Sequence, residues 1–287
     1  MITIVGNILN SSNKKILDKM NKMDFDFVRK EVLAQIADGA EFIELYACPL
    51  MDNEMPFLQE AIRIIEGSGG KVLVRSSNID TLITVAKMVK NEVVLGDIEF
   101  DKEKIDRFLD GIKGLNDHNI KIVALIKEKG DDVDFSPEKS LLIAQMFIDY
   151  LLDNGVPRNN ILLDPILRPL EEGLLNGKLF LNTLELFKLD FPQVKTIANL
   201  ATLSEGLPMR YLISSHFVSL AIEKGLDYIV LDVLEKSIIE SIITTLTIIG
   251  KDRNMQTYLS FCRNNREARR RANQKSFMEA PDYQQKN

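Results

Sequence analysis

The feature that most constrains this chain is a regular alternation of short apolar runs and longer amphipathic stretches. Ile2 to Val5, Phe42 to Ala47, Val72 to Val74, Val93 to Leu95, Ile120 to Ile126, Ile161 to Leu163, Val194 to Ala198 and Tyr228 to Asp232 each read as a strand, and Ile161 to Leu163 as a buried parallel one. Between them, apolar residues recur at helical spacing. Examples are Phe25, Val28, Val32, Leu33 and Ile36, then Phe57, Leu58, Ala61, Ile62 and Ile65. The stretch before Gly155 carries Leu141, Leu142, Met146, Tyr150 and Leu151 on what the spacing makes one face. Further helices are expected at Lys14 to Asn21, Ile79 to Val89, Asp101 to Leu115, Thr183 to Leu189, Tyr211 to Ile222 and Ile238 to Ile249. Asn78 and Ser136 stand as N-caps, Pro137 in a first turn, and Gly39 and Gly225 as C-terminal stops.

Eight strands alternating with helices predict an α/β chain closed as a (β/α)8 barrel, with an open doubly wound sheet as the rival. No linker rich in Pro, Gly or Ser interrupts the pattern, so one barrel domain is expected over residues 1–252. Residues 253–287 are expected to be a helical, basic extension with a disordered end. In it Met255 and Leu259 suggest one more apolar face, and Arg263 to Lys275 is dense in positive charge. The net charge of −6 argues against a nucleic-acid binder. No apolar stretch approaches membrane-spanning length and no basic leader opens the chain, so a cytoplasmic, membrane-free protein is expected. Cys48 and Cys262 make no disulfide framework, and with only His118 and His216 a metal site is poorly supplied.

In a barrel of this kind chemistry sits at the C-terminal ends of the strands. Asp164 follows Ile161–Leu163 directly and Pro165 ends the strand, leaving a carboxylate at that rim; a turn or N-cap aspartate is the alternative reading. The other strand ends contribute Asn7 and Asn10, Glu44 and Tyr46, Arg75 and Ser76, the expected turn Gly96-Asp97, Lys127, Asn199 and Thr202, and Asp232. This ring is rich in amides and carboxylates, which suits a ligand with a row of N–H donors such as a pterin or purine. No glycine-rich phosphate loop follows the last strands, which disfavours a sugar phosphate, and nothing suggests covalent catalysis.

Several of these segments carry a family resemblance. They are Ile4-Val-Gly-Asn-Ile-Leu-Asn10, Asp38-Gly-Ala-Glu-Phe-Ile-Glu-Leu45, Ser76-Ser-Asn78, Leu163-Asp-Pro-Ile-Leu-Arg-Pro169 and Lys224-Gly-Leu-Asp-Tyr-Ile-Val-Leu-Asp232. In them the chain resembles the methyltetrahydrofolate:corrinoid methyltransferases of the pterin-binding superfamily, which also holds dihydropteroate synthase; the likeness runs from about Met1 to Phe261. The resemblance implies a methyl group passing from methyltetrahydrofolate or a related donor to a corrinoid carried by a partner protein, and a homodimer. It implies Asn10 and Asp164 as substrate-binding residues, Asp164 on the amino-pyrimidine edge of the pterin. Asp97 and Asn199 join them as candidate contacts at strand ends.

The departures from the family pattern are Asn7 for a glutamate, Tyr46 for an asparagine, Arg75 for an aspartate and Gly96 for an asparagine. Thr202 replaces the asparagine that assists methyl transfer, and is the candidate catalytic residue. An arginine replaces an acceptor with five donors and reverses the charge. Arg75 is therefore expected either to pair with Asp97, Glu44 or Asp164 or to meet an acceptor on the substrate. A non-catalytic barrel that docks a corrinoid protein or catalytic sibling is the alternative. A dihydropteroate synthase-like enzyme is a weaker one, since only Arg210 is available late in the barrel for a phosphate.

Overall fold

The computed structural model describes residues 2–47, 50, 53–115, 120–127 and 136–265. Its strands are β1 (Thr3–Gly6), β2 (Phe42–Leu45), β3 (Lys71–Arg75), β4 (Val93–Glu99), β5 (Ile120–Leu125), β6 (Ile161–Asp164), β7 (Lys195–Asn199) and β8 (Tyr228–Leu231). Each pairs in parallel with its neighbours in sequence, and β8 closes onto β1. The expected (β/α)8 barrel is the architecture of this chain.

The helices are α1 (Lys14–Asn21), α2 (Phe25–Ala37), α3 (Glu54–Gly67), α4 (Ile79–Met88), α5 (Lys102–Ile112), α6 (Pro137–Asp153), α7 (Asn176–Asp190), α8 (Arg210–Glu223) and α9 (Lys236–Ile248). Asn78 and Ser136 cap α4 and α6 by accepting from the backbone N–H of Asp80 and Lys139. Residues 256–265 form the C-terminal helix. No helix among the described residues is long and apolar enough to cross a membrane. Cys48 and His118 lie outside the described residues, as does the basic tail beyond Asn265.

The core has two parts because a barrel strand buries both faces. Outward residues such as Ile43, Val72, Leu95 and Ile229 pack against the helices. Inward residues Val5, Phe42, Leu73, Val94, Val123, Leu162, Ile197, Tyr228 and Val230 fill the barrel itself. Strand side chains alternate, so the residues two places on from these point to the same axis at the C-terminal rim. They are Asn7, Glu44, Arg75, Gly96, Leu125, Asp164, Asn199 and Asp232. At the opposite rim, Asp227 of the Gly-Leu-Asp segment accepts from Lys188 Nζ at 2.5 Å, Lys195 Nζ at 2.9 Å and Thr196 N at 3.1 Å. That motif residue staples the closed end of the barrel.

Four sequence expectations need correction. β4 does not turn at Gly96-Asp97 but continues to Glu99, with its register to β5 shifted between Leu95 and Ile98. Such a bulge re-aims the side chains within it, and it brings Asp97 into the barrel mouth. A side chain at Gly96 would run into Val123, so the asparagine of the related pattern has no room there. On α6 the buried face is Ser140, Ala144, Phe147, Ile148 and Leu151, while Leu142 and Met146 are exposed. Their leucine and methionine chemistry matched the apolar stripe, but their position on the helix faces solvent. α7 begins at Asn176, seven residues before the expected start, because Gly177 and Phe180 pack under Phe217 and Leu203. Met255 and Leu259 are about half exposed and make no buried face.

Candidate functional site

Asn10, Ser12, Glu44, Tyr46, Arg75, Asp97, Leu125, Asp164, Ile166, Leu167, Asn199 and Thr202 line one cavity of about 370 Å³ at the C-terminal mouth of the barrel. The six residues expected to bind substrate or act on it, Asn10, Arg75, Asp97, Asp164, Asn199 and Thr202, are all in it. The cavity shares Asn10, Ser12, Asn199 and Thr202 with a larger lobe of about 700 Å³. That lobe runs over β1, β7 and β8 and is lined by Asn7, Arg210, Tyr211, Asp232 and Glu235 among others. Together they form a cleft with a narrow inner end and a broad outer end.

Arg75 dominates the inner end. Its Nε donates to Glu44 Oε1 at 2.9 Å, and its Nη1 donates to Asp164 Oδ2 at 3.1 Å and to Asp97 Oδ1. One guanidinium thus joins β2, β3, β4 and β6. The side chains of Arg75, Glu44 and Asp164 are 11%, 1% and 8% exposed, whereas Asp97 is 28% exposed and stands toward the opening. Asp164 satisfies both readings of its sequence position, since its Oδ1 accepts from Ile166 N at 3.1 Å in a turn while Oδ2 holds Arg75. Two buried atoms of the cluster have no partner among the described residues, Glu44 Oε2 and Arg75 Nη2.

Electrostatics follow from one cation facing three carboxylates in a dry place. Burial pushes Glu44 up to about 7 from an ordinary 4.5; Arg75 opposes this, and the charges of Asp97 and Asp164 reinforce it. Burial also raises Asp164, against the pull of Arg75. Burial disfavours the Arg75 charge, but Asp97, Asp164 and Glu44 outweigh it, so the guanidinium stays protonated. The folded protein therefore holds the Glu44 proton more tightly than the unfolded chain does. Its share of stability is complete below pH 4.5 and is lost as pH rises through about 7. We expect urea denaturation of the wild type and of Glu44→Gln to diverge across that window. The wild type should lose up to about 1.4 kcal/mol per pH unit relative to the variant. A pH-independent difference would mean that Glu44 does not titrate there.

The remaining candidates are fixed by local turns. Asn199 ends β7 and caps the 3-10 turn Leu200–Ser204, its Oδ1 accepting from Ala201 N at 3.1 Å, which leaves its amide nitrogen as the group it can offer. Thr202 sits in that turn on the wall shared by both lobes. Asn10 pairs with Tyr46 across an isolated parallel bridge, and its Oδ1 accepts from Ser12 N at 2.9 Å and from the Ser12 hydroxyl. Ser12 was not singled out in the sequence; the Asn-Ser-Ser run there is an Asx-turn signal that could have found it.

Asn7 and Asp232 line the larger lobe, and Asp232 Oδ1 accepts from Leu234 N at 3.0 Å. Ser76 is buried, its hydroxyl accepting from Asn78 N. Lys127 points away, exposed and 3.3 Å from Glu99. Arg210 lies in the larger lobe, but its guanidinium donates to Ala201 O at 2.8 Å, with Asp232 and Glu235 on the same wall. That is a poor phosphate cradle. His216 is an exposed residue of α8 whose Nδ1 lies 2.8 Å from Leu212 O.

The chain is 22% identical over 256 residues to the methylcorrinoid:tetrahydrofolate methyltransferase of Eubacterium limosum, covering 89% of this chain and 94% of that protein. Its barrel superposes on the dihydropteroate synthase of Clostridium difficile solved in the presence of pteroic acid. The TM-score is 0.65 at 15% identity, covering 86% of this chain and 96% of that one. The dihydropteroate synthase of Coxiella burnetii, also solved with pteroic acid, gives 0.60 at 15% identity over 85% of this chain and 93% of that one. No protein-family model matches the chain. The resemblance read from the strand-end motifs is thus borne out: over nearly its whole length this chain is similar to a methylcorrinoid:tetrahydrofolate methyltransferase, on a barrel shared with the dihydropteroate synthases.

Proposed function

We propose that this is a methyltransferase-like protein of corrinoid-dependent one-carbon metabolism. It moves a methyl group between a small donor bound in the two-lobed cleft, tetrahydrofolate or a related compound, and a corrinoid held by a partner protein. The observation that carries this reading is the convergence of Asn10, Arg75, Asp97, Asp164, Asn199 and Thr202, from five parts of the chain, on one cavity at the C-terminal end of the barrel strands. The similarity to a protein named for methylcorrinoid and tetrahydrofolate supports it. In this reading Asn10, Asp97, Asp164, Arg75 and Asn199 position the donor. Thr202, on the wall between the lobes, donates a hydrogen bond to the atom that gives up the methyl group, where charge changes as the bond breaks. The corrinoid supplies the methyl acceptor, and this chain's part is to orient the donor and exclude water.

A second reading, a non-catalytic barrel that docks a corrinoid protein or catalytic sibling, is favoured by one observation: Arg75 already satisfies the carboxylates that a donor-edged ligand would use. A homodimer is part of either reading, and exposed apolar side chains on α6 and α8, including Leu142, Met146, Leu212 and Leu220, support it. Isothermal titration with methyltetrahydrofolate, for the wild type and Arg75→Ala, together with an assay of corrinoid-protein methylation, separates the readings. Turnover with the wild type is the expected result, from methyltetrahydrofolate or from a related methyl donor that presents carbonyl oxygens to Arg75. Stable association with the corrinoid protein without turnover would favour docking, and no binding by either protein with no methylation would end the enzymatic reading.

A further inference from the structure

We infer that the inner lobe is a subsite for a flat N–C–N donor edge that the protein has filled with its own Arg75, making this residue the determinant of which ligand class the cleft accepts. The inference rests on the proposed function only in taking the cleft as the ligand site.

Three carboxylates from three strands surround one planar cation. Glu44 Oε1, Asp97 Oδ1 and Asp164 Oδ2 all receive N–H groups of the same guanidinium. A guanidinium and the 2-amino-4-oxopyrimidine edge of a pterin, with its ring N3–H beside the amino group, present the same motif, N–H groups diverging from one sp² carbon, and carboxylates bind both through paired N–H donors. Without Arg75 the oxygens of the three acids would be open to such an edge, whose N–H donors would take the place of the guanidinium. With Arg75 in place each oxygen of Asp164 already accepts one hydrogen bond, Oδ2 from the guanidinium and Oδ1 from Ile166 N–H. A second donor edge would meet the N–H groups of Arg75 instead of carboxylate oxygens.

A second observation shows that the pocket was not built around Arg75 alone. Glu44 is 1% exposed, lines the cavity, and keeps Oε2 without a partner among the described residues, and Arg75 Nη2 has none among them either. A pocket matched to this arginine would use a bidentate carboxylate, the geometry in which arginine binds most strongly. Here the guanidinium touches each acid through one oxygen and leaves buried capacity idle on both sides. Arg75 therefore excludes ligands with an amino-pyrimidine edge from the inner lobe and favours ligands that present carbonyl oxygens there.

The test compares two probes differing only at that edge, pterin, with a 2-amino group, and lumazine, with a carbonyl in its place. Titration calorimetry on full-length wild type is expected to show no preference for pterin. Arg75→Ala is expected to prefer pterin over lumazine on the order of 100-fold, the worth of two charge-assisted hydrogen bonds. Millimolar guanidinium should raise the melting temperature of Arg75→Ala and leave that of the wild type unchanged. Should Arg75→Ala fail to fold, Glu44→Gln/Arg75→Ala removes one buried charge with the cation and serves in its place. A wild type that prefers pterin as strongly as the variant, or a variant with no preference and no response to guanidinium, would overturn the inference. Neither result bears on corrinoid methylation, so a failure of the proposed function shows separately as absent turnover.

Discussion

Replacing Arg75 by alanine is expected to destabilise the protein by about 3–5 kcal/mol near neutral pH, the usual cost of removing one partner from a buried ion cluster. The loss has little to do with the attraction that disappears. It comes from Glu44 and Asp164, which are 1% and 8% exposed and would be left facing each other and Asp97 with no cation between them. Since burial already raises both acids with Arg75 present, they should take up protons readily in its absence. The destabilisation should therefore shrink as pH falls, and a urea series from acid to neutral pH would show it. Arg75→Lys should fall between the two, because one ammonium cannot reach three acids that a planar fork spans. If Arg75→Ala cost the same at every pH, the penalty would be a packing defect and the cluster would have no electrostatic role.

A comparable loss, about 3–5 kcal/mol, is expected for Phe42→Ala, the range for truncating a buried aromatic side chain. Phe42 fills the barrel directly below Glu44, with its ring 5.9 Å from that of Tyr228 and Lys71 Nζ 5.2 Å from its centroid. Its removal opens a hole among Leu73, Val94 and Tyr228, and closed strands cannot collapse to fill it. Because the floor beneath Glu44 then loosens and admits water, the acid should titrate closer to its ordinary range. The pH-dependent part of stability between 4.5 and about 7 should weaken along with the total. Denaturation midpoints at two pH values test both parts. An unchanged pH dependence on a destabilised background would mean that the mouth and the packed interior are independent. Phe42→Leu, which keeps most of the volume, should cost far less on both counts.

The barrel, the order of its elements and the end at which a site would lie were legible in the amino-acid pattern alone. Those features rest on local rules: runs buried on both faces, helical stripes between them, caps at Asn78 and Ser136, and the Asp-Pro break after β6. Alternation along each strand then put Glu44, Arg75, Asp164 and Asn199 on the barrel axis, so the membership of the mouth was legible as well. Local rules reach only a few residues, and what they missed depends on longer distances. Leu142 and Met146 fit the apolar spacing of α6, but which flank of a helix meets the sheet is decided by packing. Asp97 enters the mouth through a register shift that only the pairing of β4 with β5 reveals.

The partners of Arg75 were the largest open question. Its guanidinium reaches acids on β2, β4 and β6, residues 31, 22 and 89 positions away in the chain. Which of several carboxylates an arginine takes depends on where closure of the sheet puts each strand end. Here it put all three around one cation, and that tertiary fact decides which edge of a ligand the cleft can receive.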